Sequence, residues 1–295
     1  MTTLVLGSTG QVGSHLRKVV RDAVFWSRGD ADLTDPAGVE ARVVAAKPTA
    51  LVNAAAYTAV DRAESEASLA WRVNADAAAA IARAAATLDI PLVHISTDYV
   101  FDGSSERAYL EHDATNPLSV YGRSKLAGDL ATVTLCPRSW TLRTSWVFSE
   151  HGANFVKTML RLAGERNRLN IVDDQRGRPT YAGHIADVIG ALLARLAAED
   201  APLPGIFHVS GGPVATWFEF AGEIFEQALP RGLVARVPVL TPITTADYPT
   251  PARRPANSIL EPSRGFLSDL GVTVDWQKGL RTALDALSHA TGAIP

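Results

Sequence analysis

Short apolar runs alternate with stretches of helical periodicity through the first half of the chain. Leu4, Val5 and Leu6 form a brief run that meets a glycine-rich turn, and Val12, Leu16, Val19 and Val20 then recur at the spacing of one helix face. Residues 23–26 read as a second strand. Asp35 and Pro36 open a helix that Lys47 and Pro48 close. Residues 50–56 read as a third strand ending in small residues, and an Ala-rich pattern over 68–88 predicts one long helix. A fourth strand covers 92–97, a helix runs from Tyr121 to about 133, and a fifth strand and its exit cover 141–148.

Beyond residue 150 the rhythm weakens. Helices are expected over 154–163, 185–196, 217–225 and 276–287, with short strands at 170–173 and 205–209 and a loop at 176–180. The least regular stretch is 241–260, proline-rich and carrying Arg253, Arg254 and Asn257. Strands alternating with helices predict an α/β fold. The expectation is a Rossmann-type parallel sheet flanked by helices, with a smaller C-terminal substrate-binding domain. Residues 1–150 form the nucleotide-binding part, elements of about 181–210 return to it, and 151–295 are mainly substrate-binding.

The turn at 7–13 reads GSTGQVG. Strand, glycine turn and helix are the context of a dinucleotide fingerprint. Gly7 permits the tight turn, Gly10 lets backbone approach a pyrophosphate, and the helix start presents free N–H groups. After the second strand, Arg28 is placed to meet a 2′-phosphate, which favours NADPH. Asp30 and Asp32 keep NADH open as a cofactor.

Tyr121 and Lys125 lie one helical turn apart and project together toward the end of the fourth strand, where Thr97 waits. A phenol near pKa 10 is a weak acid at neutral pH. A neighbouring ammonium is expected to lower that value. Thr97 would hold a carbonyl oxygen in line, and Lys125 would also reach the nicotinamide ribose. His94, in an apolar strand, reads as a packing histidine. Asn74, inside the Ala-rich helix, reads either as solvent-facing or as a support for active-site backbone or an ordered water. The proline–arginine stretch reads either as a lid over an anionic substrate or as an exposed connector.

The 295 residues are 47% apolar and 20% charged, with net charge −3, which leaves no global basic footprint for nucleic acid. One cysteine, Cys136, excludes an intrachain disulfide. No apolar run approaches a membrane span and no leader pattern opens the chain, so a cytoplasmic address is expected. Seven histidines are scattered without metal-ligand spacing, and no metal site is expected.

Several longer segments carry a resemblance: VNAAAYTAVDRAE at 52–64, STDYVFDG at 96–103, YGRSK at 121–125, RTSWVF at 143–148 and YPTPARRPANS at 248–258. With the glycine turn, they resemble the extended short-chain dehydrogenase/reductase superfamily and, within it, the dTDP-4-dehydrorhamnose reductase family. The resemblance spans nearly the full length. It implies a catalytic triad of Thr97, Tyr121 and Lys125 and reduction of a nucleotide-sugar ketone by NADPH. The implied cofactor shell is Gly7, Gly10, Gln11, Val12, Arg28, Asp32, Leu33, Ala54, Ala55, Tyr57, Tyr121 and Lys125. Implied substrate contacts are Val60, Thr97, Asp98, Tyr99, Trp146, Asn154, Arg253 and Arg254. Some members dimerise through Mg2+ held by glutamates, and the matching positions here are His15 and His184. Histidine suits hard Mg2+ poorly, so a monomer, or a dimer not bridged by Mg2+, is expected. Two alternatives remain: another nucleotide-sugar reductase or epimerase of the superfamily, and a non-catalytic NADP-binding regulatory subunit.

Overall fold

The computed structural model describes residues 2–292. The first part of the chain runs β1 (Thr3–Leu6), α1 (Gln11–Val19), β2 (Val24–Trp26), α2 (Pro36–Ala46), β3 (Ala50–Asn53), α3 (Val60–Ala63), α4 (Ala67–Trp71), α5 (Ala77–Thr87), β4 (Leu92–Thr97), α6 (Val120–Leu135) and β5 (Ser139–Thr144). The second part runs β6 (Val147–Phe148), α7 (Phe155–Glu165), β7 (Arg168–Val172), β8 (Arg176–Gly177), β9 (Thr180–Tyr181), α8 (Ala182–Ala197), β10 (Gly205–His208), β11 (Ala215–Thr216), α9 (Trp217–Ala228), β12 (Val239–Ile243), α10 (Arg264–Asp269) and α11 (Trp276–Gly292).

Six strands form one parallel sheet in the order β10-β5-β4-β3-β1-β2. Every residue of β1, β3 and β5 is buried, as expected where helices cover both faces. On one face Leu16 of α1 and Ile185, Ile189 and Leu192 of α8 pack on Val5, Val52, Val93 and Leu142. On the other, Val39 and Val43 of α2 and the alanines of α5 pack on Leu4, Leu51 and Leu92. A separate core joins α7, β7, α9 and α11 through Phe148, Met159, Ile171, Phe220, Phe225, Trp276 and Leu280. The strand order reverses beside β1, and ligands of such sheets bind in the crevice outside the strand C-termini there.

Several expectations need correcting. Val19 sits at the fraying end of α1 and is 40% exposed, so the buried face of that helix is carried by Val12 and Leu16. The third strand stops at Asn53, because Ala55 N donates to the Asn53 side chain and the chain leaves the sheet there. The loop at 176–180 contains β8 and β9, which pair with β11 and β6. The stretch beginning at Thr241 opens inside β12, which lies parallel to β7 with Pro242 beside Ile171. Pairings this distant leave no local signature.

The long Ala-rich helix runs through as expected, but it is not a regular α-helix. A π-turn over Arg72–Asp76 separates α4 from α5. The extra residue turns Asn74 inward, where it is buried. Its amide oxygen accepts from Tyr57 N at 2.8 Å, and its nitrogen donates to Tyr57 O at 3.1 Å and Ser124 Oγ at 3.0 Å. The solvent-facing reading of Asn74 is thus wrong, and the support reading is right.

Helix α6 comes close enough for these bonds because residue 128 has no side chain. A Cβ at Gly128 would stand 2.1 Å from Asn74 O. Gly128→Ala is therefore expected to force α6 off the π-turn and lower stability by about 1–3 kcal/mol. Urea denaturation reads this directly, and an unchanged midpoint would show that the contact yields freely.

Candidate active site

The strand C-termini open onto a cleft of about 910 Å³. At β1, Gly7 takes φ +85° with Ala54 backbone pressed against it; a Cβ there would lie 2.6 Å from Ala54 C. Gly10 is the N-cap of α1 and offers no side-chain hydrogen bond. The first N–H groups of α1 therefore face the cleft uncapped, a cradle for a phosphate. A dinucleotide fits this end of the cleft. Gly7, Gly10, Gln11 and Val12 line it, as do Arg28, Asp32, Leu33, Ala54, Ala55 and Tyr57.

The loop after β2 distributes its charges unequally. Asp30 accepts from Ser27 N and Ser27 Oγ, and Asp32 accepts from Thr34 N. Both carboxyls are held below the ordinary range by these bonds. Arg28 is 78% exposed, and its Nε lies 3.6 Å from Asp32. Asp30 is tied to its own loop, while Arg28 and Asp32 both stand at the cleft.

Thr97, Asp98, Tyr99, Tyr121 and Lys125 converge farther along the cleft. Ser119 caps α6 by accepting from Gly122 N, which fixes the turn carrying Tyr121. Ser124 donates to Tyr121 O and accepts from Asn74, so the π-turn holds this same turn. Tyr121 is buried, with its ring edge-on to Tyr99. Burial pushes its phenol above the usual value, against the hydrogen bond with Thr97. The expectation that Lys125 lowers the Tyr121 pKa is therefore corrected: desolvation outweighs any pull from the ammonium.

Lys125 is 2% exposed. Burial pushes it down to about 8, opposed by Asp129. Its Nζ donates to Ile95 O at 2.7 Å. Asp98, wholly buried, is pushed up to about 6 by desolvation, against hydrogen bonds from Ser258 and Thr97.

A polar layer lies beneath Lys125. Asp129 accepts from Ser96 Oγ at 2.7 Å and Arg143 Nε at 3.3 Å. His94 Nε2 lies 3.4 Å from Lys125 Nζ and 3.7 Å from Asp129 Oδ1. His94 is thus a packing histidine that also touches the ammonium.

At the substrate end, Val60, Trp146 and Arg254 line the cleft. Trp146 adopts φ +48° and stacks on Trp217 with centroids 3.6 Å apart. Arg254 donates to Asp61 at 2.7 Å and to Tyr99 Oη at 3.1 Å. Two expected substrate residues stand apart from the cleft lining. Arg253 points to solvent although its neighbour turns inward. Asn154 caps α7 and donates to Gln11 Oε1 and Ser149 O, so it braces the wall from behind. The proline–arginine stretch is not an exposed connector throughout, since Asn257 donates to Ser105 O and Arg107 O and Arg254 lines the cleft.

Trp217 was missed because it opens an amphipathic helix behind the Thr216–Glu219 capping box, where an aromatic residue reads as core. The tryptophan pair in RTSWVF and at 217 becomes visible only when Gly177 lets Trp146 lie flat; a Cβ there would be 2.5 Å from the indole.

A model of the RmlD substrate binding domain family matches residues 1–289. The chain belongs to this family. A relative from Aggregatibacter actinomycetemcomitans, named dTDP-4-dehydrorhamnose reductase, is 42% identical over 284 residues, covering 94% of this chain and 96% of the relative. The crystal structure of a dTDP-4-dehydrorhamnose reductase from Clostridium acetobutylicum has a TM-score of 0.87 at 33% identity, covering 97% of this chain and 99% of the other. One from Bacillus anthracis, in complex with NADP, has a TM-score of 0.85 at 33% identity with the same coverage. Within the RmlD family frame, the residues expected at the cofactor end and the three expected catalytic residues all line one cleft of this chain.

The layer under Lys125 makes a spectroscopic prediction. Asn53 Oδ1 accepts from Ala55 N, so its Nδ2 faces His94 Nδ1 at 3.1 Å, while Lys125 Nζ faces Nε2 at 3.4 Å; donors at both ring nitrogens disfavour a second ring proton. Burial and Lys125 hold its pKa well below normal. Nitrogen-15 imidazole spectra should show His94 still neutral through the pH window around the ordinary histidine midpoint of about 6.5. An imidazolium signal in that window would refute the assignment.

Proposed function

We propose that the chain is an NADPH-dependent dTDP-4-dehydrorhamnose reductase, converting dTDP-4-dehydro-6-deoxy-L-mannose to dTDP-L-rhamnose. The carrying observation is a buried tyrosine that lines, with Thr97 and Lys125, the same cleft as an uncapped Gly-rich helix start. Full-length similarity to relatives named for this reaction supports it.

NADPH, when bound, supplies the hydride that C4 of the sugar receives. The chain supplies the rest. Thr97 orients the C4 oxygen. Tyr121 keeps its proton at neutral pH because burial raises its pKa, and it gives that proton to the oxygen as negative charge develops. Lys125 remains a cation at neutral pH and steadies the phenolate left behind. A ketone, one hydride and one proton yield the alcohol, and Tyr121 is reprotonated from water. Arg254 is placed for the substrate phosphates and the Trp146–Trp217 stack for a flat ligand face.

In this reading residues 1–150, with about 181–210, hold the cofactor, and 151–295 mainly hold the substrate. The enzyme works in the cytoplasm as a monomer, or as a dimer without an Mg2+ bridge, and takes no nucleic-acid or membrane partner. No helix among the described residues is long and apolar enough to cross a membrane.

The deciding experiment follows NADPH oxidation with dTDP-4-dehydro-6-deoxy-L-mannose. Wild type should turn over, and Tyr121→Phe should lose at least ~100-fold in kcat while still binding NADPH. Redox-neutral turnover would indicate an epimerase, and undiminished turnover in the variant would remove Tyr121 as proton donor.

Cofactor choice has its own test. Arg28→Ala should weaken NADPH binding by about tenfold, roughly 1.4 kcal/mol, with little effect on NADH. Equal weakening of both would dissociate Arg28 from the 2′-phosphate.

A further inference from the structure

Behind the wall of the cleft, the loop after β6 turns two side chains toward α1. Gly152 and Ala153 line the cleft from this loop, whereas Glu150 and His151 meet His15 on the other side. The ligand atoms of His15, Glu150 and His151 all lie within 4.8 Å of one another. His15 Nε2 is 3.3 Å from Glu150 Oε2, and His151 Nε2 is 3.4 Å from Glu150 Oε1. Donors about 2.0–2.1 Å from a tetrahedral ion stand roughly 3.3–3.4 Å apart, so each imidazole stands at ligand spacing from one of the two Glu150 oxygens.

The geometry points to a binding site for a borderline transition cation, Zn2+ or a surrogate such as Co2+, held by His15, Glu150 and His151. Two imidazole nitrogens and one carboxylate group favour that class over Mg2+, which takes oxygen ligands in an octahedron. The donors are held in advance. His15 is buried, and Tyr181 Oη donates to Glu150 Oε2 at 3.1 Å, an outer-sphere bond of the kind that orients a ligating carboxylate. His151 Nε2 is buried yet makes no hydrogen bond, although the side chain as a whole is 37% exposed. An ion therefore has a route in from the His151 side and a donor already vacant.

Competing contacts are modest. His15 Nε2 has Ser149 Oγ at 3.0 Å as its present partner. Lys18 Nζ sits 3.5 Å from Glu150 Oε1 but is 64% exposed, so the ion can displace it into solvent at little cost. Lys157 Nζ bonds the Glu150 carbonyl and leaves the carboxylate clear. An ion here would tie α1, which starts at the Gly-rich turn, to the loop that walls the cleft. Besides the contacts of His15 and Lys18, that seam carries Gln11 Nε2 to Val147 O at 3.4 Å and Asn154 to Gln11. The site would act as a structural pin across it.

The full chain, stripped with chelator, is titrated with Zn2+ by calorimetry and with Co2+ by visible absorption. One equivalent should bind, Co2+ should give the intense bands of four- or five-fold coordination, and a hundredfold excess of Zn2+ over its Kd should raise Tm by about 5 °C. His151→Ala and Glu150→Gln should each abolish the bands and the Tm shift, while His112→Ala, at an exposed histidine outside the cluster, should retain both. Mg2+ should give no shift. Absence of stoichiometric binding overturns the site, as does binding that survives both substitutions within the cluster.

Discussion

An ammonium buried beside a phenol constrains this molecule more than any other feature. Removing a charge from water costs several kcal/mol unless partners restore what hydration gave. Lys125 regains part of that from Ile95 O and part from Asp129, one helical turn along α6. Asp129 is itself buried, and desolvation raises its pKa against the pull of Lys125 and Arg143. Ser96, Arg143 and His94 complete its surroundings. Two strands and one helix are therefore locked in register by the needs of one charge. Losing Asp129 would leave two buried cations facing each other without an anion.

The same requirement explains the π-turn. Lys125 and Tyr121 must stand over the ends of β3 and β4, so α6 must approach α4 and α5 closely. Gly128 admits Asn74 O, and Gly122 admits Tyr99 O, which a Cβ would meet at 2.2 Å. The inserted residue turns Asn74 toward both Tyr57 and Ser124, joining cleft wall to catalytic turn. A regular helix would carry its alanines past this point with no polar group facing α6. The interruption thus converts a packing helix into part of the site.

Much of this was legible in the sequence, because the first half encodes its chemistry locally. The glycine turn, Thr97 at a strand end and the Tyr121–Lys125 spacing each lie within one element or one turn, so period and turn chemistry place them. The direction of the Tyr121 shift was not legible, since burial is a property of the packed site and here outweighs the neighbouring charge. Asn74 looked ambiguous for a related reason: an α-helical wheel assigns it no face once a π-turn adds a residue. Trp217, β8, β9 and β12 depend on partners far away in the chain, and neither period nor composition records those partners. Arg253 and Arg254 are chemically identical neighbours, and only the docking of their loop on Asp61 and Ser105 decides which one faces inward.

That docking also separates reaction type from substrate choice. The groups proposed to handle the proton lie on the parallel sheet and its helices, deep in the core and hard to rearrange. The groups proposed to meet the rest of the substrate sit on loops, and their bonds are easily exchanged. Arg254 is paired with a carboxylate that is more than a third exposed, a contact worth about 0–1 kcal/mol. A phosphate can take that guanidinium from Asp61 with almost no loss of folding stability, whereas no ligand could draw Lys125 from Asp129 without exposing the sheet. The cleft therefore combines a fixed end with an exchangeable one, and an anionic substrate has only the exchangeable contacts to displace as it enters.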